Sequence, residues 1–254
     1  MSPKVNKRVT KHNDLTEGSI QKSLVRMTLP MIIGMLMLFT FSIVDTLFIS
    51  FLGTESLSAI SFTFPVTFTI MSLAIGLGIG ASAVVGRCLG NAELKRAKEA
   101  ATVINYISFG LAVITVGICW FFMEDLFSLM GASESLMLLI REYMEVWFIG
   151  SVLVVCIMTG NSILRATGDT KTPSILMASA GLINAILDPL LIFGYGPFPE
   201  LGIQGAAWAT VIAWTVGFVY LMYLLAYKLE LVSRTLPSRA VMMSSGKDML
   251  RIGI

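Results

Sequence analysis

The chain has 254 residues, of which 56% are apolar and only 13% charged, with a formal net charge of +2 and a mean hydropathy of +0.82. So few charges cannot clothe so much apolar surface, which excludes a water-soluble globular domain. The apolar residues fall into blocks of about twenty or more, the length a helix needs to cross about 30 Å of hydrocarbon, and not into the alternating segments of a membrane barrel. The expected fold is therefore all-α, a six-helix transmembrane bundle.

Residues 1–27, with Lys4, Lys7, Arg8, Lys11, Lys22 and Arg26, form a basic arm whose end, LTEGSIQKSLVRMTLP, reads as a short surface helix leading into the membrane. Beside a long apolar block, this charge points to anionic lipid and topological anchoring, not to nucleic acid. His12, in the same arm, is a lone histidine and offers no metal-ligand set. Six spans follow at roughly 28–52, 57–85, 99–122, 136–164, 173–194 and 203–227. The first is too long for a signal peptide and lacks its small-residue cleavage site. Cys88, Cys119 and Cys156 are isolated, as small buried hydrophobes would be.

The first arm, the 86–98 and 165–172 loops and the tail hold 17 of the 18 Lys and Arg residues, leaving only Arg141 near the opposite side. The alternate connections carry acids instead, among them Glu55, Glu124, Asp125, Glu134 and Glu200. The positive-inside rule then puts both ends in the cytoplasm. The division is a basic arm at 1–27, a six-span lobe at 28–227 and a cytoplasmic linker at 228–254, whose MMSSGKDMLRIGI reads as the approach to a further span. The chain is thus expected to be half of something larger.

With short loops, function is sought between the helices. Asp45 lies deep in span 1, where a carboxylate facing lipid costs several kcal/mol and so calls for a polar cavity or an ion. Counting from Arg26 at 1.5 Å per residue places it about 28 Å up, in the outer half of the bilayer. On span 5, Asn184 and Asp188 are four apart and share a helix face, with Asp188 about 22 Å from the cytoplasmic side. Thr210 on span 6 lies about 10 Å below the outer surface. These four would close one polar chamber, where paired acids hold a proton or where carboxylate, amide and hydroxyl oxygens coordinate sodium. Structural bonding between helices is the competing reading. Pro30 and Pro189 can bend spans 1 and 5, and Asn161, toward the cytoplasmic end of span 4, is expected to play a supporting structural part. The glycines at 76, 78 and 80 in IGLGIGASAVVGR sit inside a span without the strand a phosphate loop needs, so they point to close helix packing.

These residues, in this order, resemble the multidrug and toxic compound extrusion family of secondary transporters. The likeness covers roughly 20–254 and rests on Pro30 and Asp45, GRCLGNAELKRAKEA, GNSILRATGDTKTP, NAILDPLLIFGYG and GIQGAAWAT. It implies two pseudo-symmetric lobes of six spans and export of cationic, lipophilic drugs or metabolites in exchange for protons or sodium. It also implies a cation site at Asp45, Asn184, Asp188 and Thr210, with Asp45, Asp188 and Asn184 as metal ligands if sodium is the ion, a nearby amide at Asn161 and a bent first helix at Pro30. No cofactor beyond the coupling ion is expected. The resemblance implies as partners small organic cations, membrane lipids and a missing carboxy-terminal lobe, in the same chain or as a partner, and as the place a bacterial or archaeal cytoplasmic membrane. A flippase for a lipid-linked precursor and a non-transporting structural piece are the alternatives. An enzyme is disfavoured, since no nucleophile, base and oxyanion set is evident.

Overall fold

The computed structural model describes residues 19–232, 237 and 239–253. Most of the basic arm, including Lys4, Lys7, Arg8, Lys11 and His12, lies outside the described residues, as does Arg234. The helices are α1 (Ile20–Ser50), α2 (Thr54–Gly90), α3 (Leu94–Phe121), α4 (Met123–Leu129), α5 (Glu134–Ala166), α6 (Lys171–Ile192), α7 (Ile203–Tyr223) and α8 (Arg239–Gly253). A single π-turn, Leu224–Lys228, carries α7 onward. Six of these helices are long and apolar enough to cross a membrane, and they coincide with the six expected spans to within a few residues, except that the first begins at Ile20 and not at 28.

Three features depart from the simplest reading of the sequence. The surface helix expected before residue 28 is continuous with the first span, because α1 runs unbroken through Pro30. A connection read as loop contains α4, which buries Met123 and Phe127 one turn apart while Glu124 and Asp125 stay exposed. On that same side Arg141, the one cation apart from the basic loops, is ion-paired with Glu124. Finally, the approach to a further span is a helix, α8, that lies against α2 and α3.

α5 is the centre of the bundle, packed by α2, α3 and α7, and its 133–136 start is capped by the Ser133 hydroxyl, which accepts the Leu136 amide at 3.4 Å. α6 begins under a stronger cap. Asp169 accepts both the amide (3.0 Å) and the hydroxyl (2.6 Å) of Thr172, so a carboxylate faces the positive end of the helix. α1 is peripheral and rests mainly on α6.

Glycines set the registers. Gly34 meets Ser174 and Phe41 meets Gly181, so α1 and α6 keep one offset of 140 residues over a heptad, the mark of parallel helices in continuous contact. Likewise Gly150 meets Val211 and Gly160 meets Leu221, a constant offset of 61 between parallel α5 and α7. α6 and α7 run antiparallel. Their connection is pinned by Leu201 and Gly202 amides donating to the Leu191 and Ile192 carbonyls at 3.0 and 3.1 Å, and Gly205 lies where any Cβ would strike the Leu191 carbonyl.

Candidate functional site

Those registers decide what lies beside what. An offset of 140 carries Asp45 of α1 to the level of residue 185 on α6, within one turn of both Asn184 and Asp188. The carboxyls of Asp45 and Asp188 accordingly meet within hydrogen-bonding reach. The antiparallel register set at Gly205 brings Thr210 of α7 down to Asn184, whose amide donates to the Thr210 hydroxyl at 3.2 Å and to Asp188 Oδ1 at 3.3 Å. The four residues expected to share a chamber are therefore neighbours, drawn from three helices. Phe41 against Gly181 closes the seam one turn below, and Phe48 packs edge-on against Phe193 above, with ring centroids 6.3 Å apart.

Asp188 is fully buried and Asp45 is half-buried. Each leaves one buried oxygen, Asp45 Oδ1 and Asp188 Oδ2, without a hydrogen-bond partner among the described residues. Two carboxylates have no donor between them unless a proton or a cation lies there, and an unshared pair of buried acids is costly. Pro189 adds to the oxygen supply: having no amide, it leaves the Ala185 carbonyl, between Asn184 and Asp188, without its helical donor. Among the described residues no three His, Cys, Asp or Glu side chains come together. The arrangement is thus two carboxylates flanked by neutral oxygens, a hard-oxygen set that suits a proton or a small alkali cation better than a soft transition metal.

Sequence reasoning missed Tyr143. This buried phenol of α5 sits close enough to Asp45 and Asp188 to feel both charges. The signal was available, since Tyr143 is nine residues into α5 from Glu134, about 14 Å below the acidic end and near the depth of Thr210. The structure leaves two expected residues out of the cluster. Asn161 is eighteen residues further along α5 than Tyr143, about 27 Å away along the axis. It is wholly buried beside Gly160, and neither its amide nitrogen nor its oxygen has a hydrogen-bond partner among the described residues. Pro30 lies fifteen residues below Asp45 on α1, about 22 Å toward the basic end.

A family model described as MatE matches residues 30–190. The chain is 47% identical over 220 residues to a FAD transporter of Shewanella oneidensis, which covers 87% of this chain and 49% of that protein. It is 31% identical over 199 residues to the multidrug export protein MepA of Staphylococcus aureus, covering 78% and 43% respectively. A solved structure of a MOP superfamily transporter from Pyrococcus furiosus superposes with a TM-score of 0.85 at 33% identity, over 98% of this chain and 54% of that one. The chain spans about half the length of these relatives. With this extent of likeness in sequence and fold, the chain belongs to the MatE family, and its six-helix transmembrane bundle is the amino-terminal lobe of that two-lobe architecture.

Proposed function

We propose that this chain is the ion-binding lobe of a secondary active antiporter in a bacterial or archaeal cytoplasmic membrane, with both ends of the six-span lobe facing the cytoplasm. A second lobe completes the transporter. The coupling ion, a proton or sodium, enters between Asp45 and Asp188, with Asn184 and Thr210 holding the carboxyls in place and Tyr143 beside them. The cargo is a lipophilic organic cation. Exchange follows from charge: the buried acids can neutralise an incoming ion or a cargo cation but are poorly placed to hold both, so each weakens the other's binding by the same factor.

The observation that carries this reading is the meeting of the two acids with one orphaned oxygen each. A second cargo class is favoured by the 47% identity to a FAD transporter, and on that reading the lobe couples ions to export of a flavin dinucleotide. The ion site is common to both, whereas the charge competition applies to the cationic cargo alone, because the pyrophosphate of a flavin dinucleotide is negative. Asp45→Asn and Asp188→Asn, each compared with the parent in membrane vesicles, are expected to abolish ion-driven efflux of dye or of flavin dinucleotide while membrane insertion is unchanged. Ion-driven efflux that survives either change overturns the proposal, and which of the two cargoes moves in the parent chooses between the readings.

A further inference from the structure

The helix α8 sits on the glycine run of α2 in an unusual way. A Cβ at Gly80 would strike the Met249 carbonyl, one at Gly76 the Gly253 carbonyl, and one at Gly253 the Gly76 carbonyl, so the two backbones touch over a full turn. Among the described side chains of α8, Ser245 and Met249 are buried, whereas Lys247, Asp248, Arg251 and Ile252 are exposed. Gly246 rests on the tip of Ile107 from α3. No ion pair among the described residues crosses this seam. At the basic end the seam widens into a cavity of about 80 Å³, with Arg87, Cys88 and Arg96 on one side and Ser244, Ser245 and Asp248 on the other.

Two contrasting surfaces explain what such a seam can do. The α2–α5 and α5–α7 contacts place buried side chains against each other along the bundle, and separating them exposes a core. The α8 seat is backbone on backbone at Gly76 and Gly80, and its large apolar side chains to withdraw are two, the buried Met249 and the half-buried Leu250. Close backbone approach through glycine gives contact without interlocking, so along Gly76 and Gly80 the two helices part without displacing side chains of α2.

We propose that α8 is a detachable clasp: seated on Gly76 and Gly80 it closes the basic end of the lobe between α2 and α3, and that end opens when α8 leaves its seat. The inference rests on the transport reading only for its purpose, since opening at this end gives the cargo a way in. Its test requires no transport. Cys88 lines the cavity under α8 and is 8% exposed, while Cys156, inside α5, is 4% exposed and does not line that cavity.

The intact chain in inside-out vesicles is treated with a membrane-impermeant maleimide, and labelling of Cys88 and Cys156 is followed separately by peptide mass. Gly80→Val forces side-chain atoms into the Met249 carbonyl. It is expected to raise the Cys88 labelling rate about tenfold or more, the shift that an overpacking clash of ordinary size makes in an open–closed equilibrium, with Cys156 still protected. A Cys88 rate equal to the parent's overturns the proposal. Should Gly80→Val expose Cys156 as well, Met249→Ala, which leaves α2 untouched, decides in the same way. Faster labelling confined to Cys88 supports the clasp, and an unchanged rate refutes it. Loss of transport in Asp45→Asn with the Cys88 response intact would separate this inference from the ion site, and so would the converse.

Discussion

The α1–α6 seam offers a direct test of how the acid pair is positioned. A methyl at Gly181 has no room, because it meets the ring of Phe41. Forcing a methyl into a packed contact costs about 1–3 kcal/mol, and α1, the least embedded helix, is the element free to yield. Asp45 is one turn above Phe41, so a retreat of α1 draws Asp45 away from Asp188. Treating carboxylate and cation as unit charges moved from about 4 to about 5 Å at an effective dielectric of 20, the attraction falls by about 0.8 kcal/mol, roughly fourfold in affinity. Gly181→Ala is therefore expected to raise the half-saturating ion concentration roughly fourfold in an ion titration of efflux from proteoliposomes, with the amount of inserted protein unchanged. Phe41→Ala in the same chain removes the ring and should return the affinity toward the parent. An unaltered ion dependence in Gly181→Ala, or a defect that Phe41→Ala does not relieve, would refute the claim that this register sets the pair.

Two further outcomes follow from neighbouring contacts. Tyr143→Phe deletes a buried hydroxyl within electrostatic reach of Asp45 and Asp188 and should weaken ion affinity by about 0.5–1.5 kcal/mol, roughly two- to tenfold; an identical ion titration would show that the hydroxyl has no part in binding. Asp169→Ala removes the cap on α6, held by bonds of 3.0 and 2.6 Å to Thr172. That change should cost about 0.5–2 kcal/mol, seen as a lower unfolding midpoint of the solubilised protein, and ion affinity measured well below that midpoint should be unaffected.

The common level of Asp45, Asp188 and Thr210 was recoverable from residue numbers because a helix rises by a constant 1.5 Å per residue, so counting from a charged end amounts to measuring relative height. The span limits were recoverable for a similar reason: hydrocarbon thickness demands an apolar block, although the ends of α2 at Glu55 and Arg87 project beyond it and left no apolar trace. α4 left none either, since seven residues with two adjacent acids make too short a pattern for Met123 and Phe127 to declare a buried face. What counting does not supply is azimuth, the direction in which a side chain leaves its helix relative to the next helix. Tyr143 was at the right height and was missed because nothing local says that its face of α5 turns toward α1 and α6. That direction is set by contacts distant in sequence, Phe41 on Gly181 and Gly205 on the Leu191 carbonyl. A glycine announces only that some backbone comes near. Gly78 faces Ser162 of α5, whereas Gly76 and Gly80, two residues to either side, face α8. A run that reads as uniform packing is therefore divided between a permanent core contact and a seam with a different partner. The acid pair inherits the same dependence: its height is written in α1 and α6 separately, and its meeting exists only because a ring on one helix finds the single position on the other that has no side chain.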